Sequence, residues 1–176
     1  YSDATNGWIP LDDDASADEP VAPPTQKAIF AFGYTGSNTN VSNLVNSSGV
    51  VATDTSGVGT ARNGVRAAAY GTDKAIFSYG HTNITNLVNN LGVVAADVSG
   101  VGTSRSGTGA LCYGLDKAIF AYGENTSSGA KVNMSNLVTN VGVVGSDVSG
   151  VGTARKDIGA TSYGSTGQGI FAYGDN

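Results

Sequence analysis

Residues 58–80 read VGTARNGVRAAAYGTDKAIFSYG, and the chain contains two further stretches with a similar sequence. Residues 101–123 read VGTSRSGTGALCYGLDKAIFAYG, and residues 151–174 read VGTARKDIGATSYGSTGQGIFAYG. When the Ile-Phe pairs are aligned, Phe30, Phe77, Phe120 and Phe171 fall in register, at spacings of 47, 43 and 51 residues. A period of this size is typical of repeat proteins, in which each unit buries its apolar surface against its neighbours.

Each repeat contains four strand candidates. In the second repeat these are KAIFSYG, then NLVNNLGVVAAD as one strand or two short strands around a turn, then SGVGTSR and TGALCYG. Small, β-branched and aromatic residues bounded by Gly, Asn, Ser and Asp are typical of short strands joined by tight turns. The sequence therefore predicts an all-β fold with three full units of about 45 residues and part of a fourth.

Charge and composition divide the chain into two parts. Residues 1–26 contain all four prolines, the only tryptophan and six acidic residues, with no Lys or Arg. Residues 27–176 contain nine basic and eight acidic residues, so the net charge of −5 arises in the first part. We expect an acidic extended arm or linker at residues 1–26 and a repeat domain at residues 27–176.

Several classes of function lack support in the sequence. Without clustered Lys and Arg, the repeat domain has no electrostatic footprint for nucleic acid. No apolar run approaches the roughly 18 residues of a membrane span. Cys112 is the only cysteine, and it stands where other repeats have Ala69 and Ser162, which favours a packing role over a nucleophilic one. His81 has no Cys or His companion at metal-ligand spacing, so neither a metal nor another cofactor is expected.

The residue order in the repeats resembles that of kelch repeats. In RNGVRAAAYGTDKAIFSYG, residues 62–80, an Arg precedes small residues, a Tyr-Gly pair, a turn and an apolar strand that ends on Gly. Here a single glycine follows the apolar strand, where kelch blades usually carry two. The segment GVVATDTSGVGTAR, residues 49–62, also resembles kelch-like repeats of bacteriophage structural and tail proteins. These resemblances imply a β-propeller and a place in a virion, or alternatively an extracellular or cell-surface location.

The number of repeats leaves several architectures open. Closed propellers have four to eight blades, more than the three full units counted here. The chain is then an excerpt of a longer propeller, or several copies complete one assembly. Three four-stranded units of this size also suit a β-trefoil, and a prism or solenoid is a further alternative.

An acid and a base recur at a fixed spacing. Each of three aspartates stands eight residues before an arginine, giving the pairs Asp54 and Arg62, Asp97 and Arg105, and Asp147 and Arg155. An active site is single and asymmetric, whereas these groups occur once per repeat. We therefore interpret them as structural residues, either ion pairs or caps of the Ser-Gly turn, and predict no catalytic residue.

The segments that differ among repeats are the better candidates for recognition. The loops after the Phe-Gly or Tyr-Gly pair differ in length, charge and aromatic content, while the flanking strands stay the same. Loops on a rigid scaffold are common binding surfaces. The candidate ligand-binding residues are Tyr34, Asn38, His81, Glu124, Asn125 and Lys131. The same loops carry Asn-X-Ser/Thr triplets at Asn40, Asn83 and Asn133, which are glycan acceptors in secreted eukaryotic proteins.

The sequence thus favours a non-enzymatic structural or adhesive module of a virion appendage or surface decoration. Its expected partners are other virion or surface protein subunits, further copies of itself as a homo-oligomer, and host surface glycan. The alternative is an extracellular carbohydrate-binding or carbohydrate-active protein, which as a hydrolase would need a pair of non-repeated carboxylates. The candidates for that role are Glu124, Asp157 and Asp175, none of which has an evident partner in the sequence.

Overall fold

The computed structural model describes residues 2–3, 7–8 and 26–176, and within them every regular element is a β-strand. Most of the predicted arm lies outside the described residues. The strands are β1 (Ser2–Asp3), β2 (Gly7–Trp8), β3 (Gln26–Tyr34), β4 (Asn38–Asn46), β5 (Val65–Tyr70), β6 (Lys74–Tyr79), β7 (Thr85–Val88), β8 (Arg105–Ser106), β9 (Gly109–Tyr113), β10 (Lys117–Ala121), β11 (Glu124–Asn125), β12 (Ser135–Val138), β13 (Gly159–Tyr163) and β14 (Gln168–Ala172). The all-β prediction is confirmed. No helix in the described part of the chain is long and apolar enough to cross a membrane.

Four antiparallel sheets follow one another along the chain. The first sheet is β3–β4, the second β5–β6–β7, the third β9–β10–β12 and the fourth β13–β14. Two-residue strands form two further pairs, β1 with β2 and β8 with β11. In the first three sheets a further segment extends the pairing through isolated bridges, as at Val88↔Val94 and Thr85↔Val98 in the second. Each complete sheet therefore consists of three strands and a bridged fourth segment.

The grouping of strands differs from the sequence-based prediction. The strand VRAAAY, assigned to the end of one repeat, pairs with the strand KAIFSY that follows it, so the second sheet starts at Val65. The segments of the SGVGTAR type were predicted as strands, and this was wrong except for Arg105–Ser106. The described residues contain two complete sheets, with a partial sheet on either side, rather than three full units and part of a fourth.

A tight turn explains this grouping. Between β5 and β6, Gly71 and Thr72 both have positive φ, at 58° and 68°. Gly114 and Leu115 repeat this conformation between β9 and β10, at 58° and 72°. Turns with two left-handed residues match the right-handed twist of paired strands, so each such turn closes a hairpin.

The largest buried cluster lies between the second and third sheets. Ala68, Tyr70 and Ile76 from the second sheet join Phe120 and Val138 from the third. Side chains alternate along β5: Ala68 and Tyr70 are buried, whereas Ala67 and Ala69 are exposed on the opposite face. The alanines and glycines of the repeats thus allow sheets to stack closely face to face.

The two ends of the stack are open. Phe30 in the first sheet is 63% exposed, although its counterpart Phe77 is 4% exposed. Tyr173, which follows the fourth sheet, is 86% exposed, although its counterpart Tyr79 is 1% exposed. Among the described residues the first sheet has no strand equivalent to β5, and the fourth has none equivalent to β7.

Candidate functional site

One arrangement of side chains recurs at each junction between consecutive sheets. The aromatic residue of the Phe-Gly or Tyr-Gly pair lies between a phenylalanine of the next sheet and the arginine that precedes that sheet in the chain. Tyr79 lies 5.4 Å from the Phe120 ring, and the Arg105 guanidinium lies 4.5 Å from the Tyr79 ring centroid. The junctions before and after repeat this contact with Phe32–Phe77–Arg62 and Tyr122–Phe171–Arg155. Aromatic packing and cation–π attraction therefore connect the sheets.

A left-handed backbone positions these aromatic residues. Phe32, Tyr79, Tyr122 and Tyr173 have φ between 62° and 65°. A large non-glycine residue adopts this conformation only at an energetic cost, commonly about 1–3 kcal/mol. At Phe32, Tyr79 and Tyr122 the packing at the junction offsets that cost, and Tyr173 keeps the same conformation although it is 86% exposed.

Two of the arginines are almost fully buried and hydrogen-bonded. Arg62 is 2% exposed; its Nε donates to the Tyr79 carbonyl (3.0 Å) and its Nη2 to Asn86 Oδ1 (2.7 Å). Arg105 has no exposed surface, and it donates to the Tyr79 hydroxyl (2.6 Å) and to Asn136 Oδ1. Burial lowers the pKa of Arg62 and raises the pKa of Tyr79. Both shifts follow from removing the charged form from water.

The repeated aspartates join this network, although not with the arginines that follow them in sequence. Asp97 accepts hydrogen bonds from Thr60 Oγ1 (2.6 Å), the Thr60 backbone N–H and Asn86 Nδ2 (2.9 Å). The nearest arginine is Arg62, 4.0 Å away, rather than Arg105. Asp147 binds Thr103 in the same manner. The prediction of a structural role is consistent with these contacts, but the predicted partners and the turn-capping role were wrong for both aspartates.

Hydrogen bonding also stabilises the ionised form of these carboxylates. The Thr60 hydroxyl makes the largest contribution to lowering the pKa of Asp97. At Asp147 burial acts to raise the pKa, but hydrogen bonds from Thr103 and Asn136 outweigh it, so the pKa is again lowered. Both carboxylates hold the segment that leads into a sheet against that same sheet. Asp54 accepts a hydrogen bond from Asn43 (2.8 Å), the counterpart of Asn86 and Asn136.

The glycines of the GVGT segments have a related function. A Cβ on Gly102, whose φ is 77°, would overlap Asp147 Oδ1, and Gly59 has the same relation to Asp97. Nearby, Asn83 Nδ2 donates to the Gly102 carbonyl (2.7 Å). Asn40 and Asn133 make the equivalent bonds. The asparagines of the three in-register glycosylation triplets thus use their side-chain amides within the fold.

The six candidate recognition residues all lie in the connections between the second and third strands of the repeats, or beside them. We call this side of the sheets, formed by residues 34–38, 80–84 and 122–134, the loop edge. Tyr34 is 65% exposed, and His81 is also exposed. None of the six lines the cavity of about 500 Å³ between the first and second sheets. The structure therefore places them along one edge rather than in a common pocket.

Several loop-edge side chains bind the segment that follows the next arginine. Asn38 Oδ1 accepts from Asn63 Nδ2 (2.9 Å), and Glu124 pairs with Lys156 (2.6 Å). This hydrogen bond with Glu124 raises the pKa of Lys156. Lys131 likewise pairs with a residue near the end of the chain, Asp175 (3.1 Å).

The side chains of the other three residues make no such contact within the described part of the chain. Asn125 Oδ1 closes a turn with the backbone N–H groups of Ser127 and Ser128. Among the described residues, Tyr34 and His81 have no side-chain hydrogen bond or ion pair across the loop edge. Tyr34 and His81 are therefore the most accessible of the candidates.

Sequence reasoning missed the partners of the arginines. Asn86 and Asn136 are buried between an arginine and an aspartate, and Thr60 and Thr103 anchor the aspartates. The sequence did indicate these positions, because the NLV segments that contain the asparagines and the GVGT segments that contain the threonines recur in register. Tyr70, Tyr113 and Tyr163 occupy equivalent positions in the repeats, but only Tyr70 is fully buried and Tyr163 is largely exposed.

Each carboxylate of residues 27–176 has a polar partner. The non-repeated acids pair with bases, Glu124 with Lys156, Asp157 with Arg66 (3.8 Å) and Asp175 with Lys131. Asp73 and Asp116 pair with the lysines that follow them. In the described part of the chain, no three His, Cys, Asp or Glu side chains come together in a group suited to a metal ion.

Comparison with known proteins gives structural similarities but no match to a family or to a curated protein. Among solved structures, the chain is similar to a fungal alcohol oxidase of the AA5 family in complex with copper, with 12% sequence identity and a TM-score of 0.47. The match covers 66% of this chain and 27% of the oxidase chain. At these values the similarity assigns neither a fold family nor an activity to the chain.

Proposed function

We propose that this protein is a non-enzymatic structural or adhesive repeat module, with the loop edge as its recognition surface. Its partners in this proposal are neighbouring protein subunits and host surface glycan. The resemblance to kelch-like repeats of bacteriophage structural and tail proteins favours a virion appendage or surface decoration as its location. The repeated junctions favour a propeller-like arrangement of sheets, completed by further units or copies.

The observation that carries the proposal is that the polar side chains of the repeats are engaged in contacts within the fold. The repeated arginines, asparagines and aspartates hold one sheet against the next, and the non-repeated carboxylates are in ion pairs. A glycoside hydrolase needs one carboxyl group to act as an acid and a second to act as a base or nucleophile. In this chain the non-repeated carboxylates are already engaged with lysine or arginine.

The loop edge has the features of a surface that binds glycan weakly. Tyr34 offers an exposed aromatic face, and aromatic rings combine apolar contact with a polar end. His81 stands at the corresponding loop of the next sheet, also exposed. Because both loops emerge from strand ends that the junctions fix, the side chains are presented by a rigid frame.

A glycan microarray with the purified full chain tests the adhesive role. We expect binding to a subset of glycans, and we expect Tyr34→Ala and His81→Ala to weaken it at least tenfold. The matched control is Tyr163→Ala, because Tyr163 is similarly exposed but lies at the opposite edge of its sheet. Loss of binding in all three variants would contradict a site at the loop edge.

An activity assay separates the proposal from the carbohydrate-active alternative. The chain is incubated with the polysaccharides that it binds, and their length is followed by size-exclusion chromatography. We expect no shortening. Hydrolysis by the wild type that is lost in Glu124→Gln would overturn the non-enzymatic proposal. Absence of any glycan binding would overturn the adhesive part and leave only a structural subunit.

A further inference from the structure

The cavity between the first and second sheets lies where the described residues supply no strand. It has a volume of about 500 Å³ and is lined by Ala28, Ile29 and Leu44 of the first sheet and by Ala67, Ala69 and Phe77 of the second. Most of these side chains are small or apolar. The cavity opens beside β3, which pairs only with β4 among the described residues. By contrast, β6 and β10 are paired on both sides.

The other junctions indicate what belongs in this space. The first strand of each sheet packs against the first two strands of the next sheet: β5 contacts β9 and β10, and β9 contacts β13 and β14. By the same rule, a first strand of the first sheet would lie against β5 and β6. Those are the strands that supply Ala67, Ala69 and Phe77 to the cavity. The cavity therefore occupies the position of a first strand, which the described residues do not supply.

The side chains of β5 are consistent with this position. Ala67 and Ala69 face the cavity and are exposed. Their counterparts in β9 are Ala110 and Cys112, which are half-buried in the sheet that β5 covers. The side chains of β9 are therefore less exposed than those of β5 because a strand covers β9, whereas no described strand covers β5 on this face.

We propose that this groove accepts an extended strand donated by a partner polypeptide, which pairs with the edge of β3 that has no partner among the described residues. The strand has the chemistry of β5, β9 and β13, with small side chains followed by Tyr-Gly. Strand addition of this kind combines main-chain hydrogen bonds with shallow pockets for alternate side chains. The inference is independent of the loop edge and of any glycan binding.

The tyrosine near the end of the donated strand would have a defined position in the groove. In the third sheet, a Cβ on Gly142 would lie 3.0 Å from the Tyr70 ring, so Tyr70 packs over that turn. Gly92 is the counterpart of Gly142 in the second sheet, and it lines the cavity. The donated tyrosine would therefore cover Gly92, beside Leu44.

The sequence immediately before β3 is poorly suited to fill the groove. Residues 18–26 read DEPVAPPTQ, with Pro20, Pro23 and Pro24. Proline lacks the N–H that a sheet ladder requires, and three prolines fall within these nine residues. A strand from a second polypeptide is therefore the better occupant.

A peptide with the sequence of residues 64–71, GVRAAAYG, provides the test. It carries a fluorescent label at its N-terminus, and its binding to the full chain is followed by fluorescence anisotropy. We expect saturable binding that is lost when the central alanine of the peptide, the equivalent of Ala68, is replaced by proline. Ala67→Phe in the protein fills the groove, so we expect at least tenfold weaker binding.

The controls separate occupancy of the groove from damage to the fold. Ala69→Phe is a second variant that fills the groove from the next exposed position of β5. Thr161→Phe places the same side chain on an exposed position of β13, far from the groove, and should leave binding unchanged. Urea unfolding of each variant verifies that it is folded.

Three outcomes would overturn the proposal. The first is no binding of the peptide to the wild type. The second is equal binding to the wild type and to folded Ala67→Phe and Ala69→Phe. The third is a wild-type dimer that does not bind the peptide but becomes monomeric with Ala67→Phe, which would assign the groove to a second copy of this chain.

Discussion

At the scale of single residues, the contacts of the repeated glycines explain why the GVGT sequence is identical in all three repeats. We expect Gly102→Ala to reduce the free energy of unfolding by about 2–4 kcal/mol, combining left-handed strain with displacement of Asp147. The new Cβ would overlap Asp147 Oδ1 and lie 2.7 Å from Asn136 Nδ2. Gly129→Ala is the matched control, because its φ of 70° is similar but nothing lies within 4 Å. Urea unfolding measures both, and equal losses would contradict the role of the network.

The aspartates of the junctions predict a dependence of stability on pH. The pKa of Asp97 is lowered in the folded state, so its contribution to stability is present above the ordinary Asp pKa of about 3.9 and is lost as the pH falls through the folded value. We expect the wild type to lose more stability than Asp97→Asn between pH 6 and pH 3. Urea unfolding at both pH values measures the difference. Parallel losses in the two proteins would show that Asp97 does not contribute.

The sequence indicated only part of the hydrogen-bond network at the junctions between sheets. The in-register recurrence of Asp97 and Arg105 indicated structural positions, but their spacing of eight residues suggested a contact that the structure does not show. The partner of Asp97 is Thr60, 37 residues earlier in the chain. A single sequence shows which residues recur, whereas the pairing depends on how one sheet stacks against the next.

At the scale of elements, packing between strands depends on complementary sizes. Leu111 of β9 packs over Gly169 of β14, where a Cβ would lie 2.5 Å from the leucine Cδ1. The corresponding residues at the preceding junction are Ala68 and Ala118, both buried. We expect Gly169→Ala to cost about 1–3 kcal/mol in the wild type. In the Leu111→Ala background the same change recreates the alanine pair, so we expect it to be neutral or stabilising.

Urea unfolding of the two single variants and the double variant completes this cycle. Leu111→Ala alone should cost about 2–5 kcal/mol, as is usual for a buried leucine. The coupling energy between the two positions should exceed about 1 kcal/mol. Additive effects would contradict direct packing between the third and fourth sheets.

The strands themselves could be predicted from the sequence, but their grouping could not. KAIFSYG and NLVNNLG were identified from runs of apolar and β-branched residues, and both contain strands. The sequence period does not specify where a sheet begins, because any starting point gives the same repeat. The left-handed turn at Gly71 and Thr72 decides this by joining β5 to β6. The cavity was not predictable, since it depends on the first sheet having no strand equivalent to β5 among the described residues.

At the scale of the whole molecule, stability should be distributed unevenly. In a stack of repeats each unit is stabilised by its neighbours, and terminal units usually need a polar outer face. The fourth sheet has an apolar one instead, because Ile170, Tyr163 and Tyr173 are largely exposed. The second and third sheets share the buried cluster around Phe120. Local opening should therefore be easiest at the fourth sheet.

Hydrogen exchange followed by mass spectrometry tests this distribution and the expected homo-oligomer together. At low protein concentration we expect slow exchange in β6 and β10 and fast exchange in β13 and β14. As the concentration rises, we expect protection of β13 and β14 to increase, because a second copy covers the apolar face around Tyr173. Tyr173→Glu should abolish that increase and leave β6 and β10 unchanged. Protection of β13 and β14 that is independent of concentration would mean that this face stays uncovered, and would contradict assembly through the end of the stack.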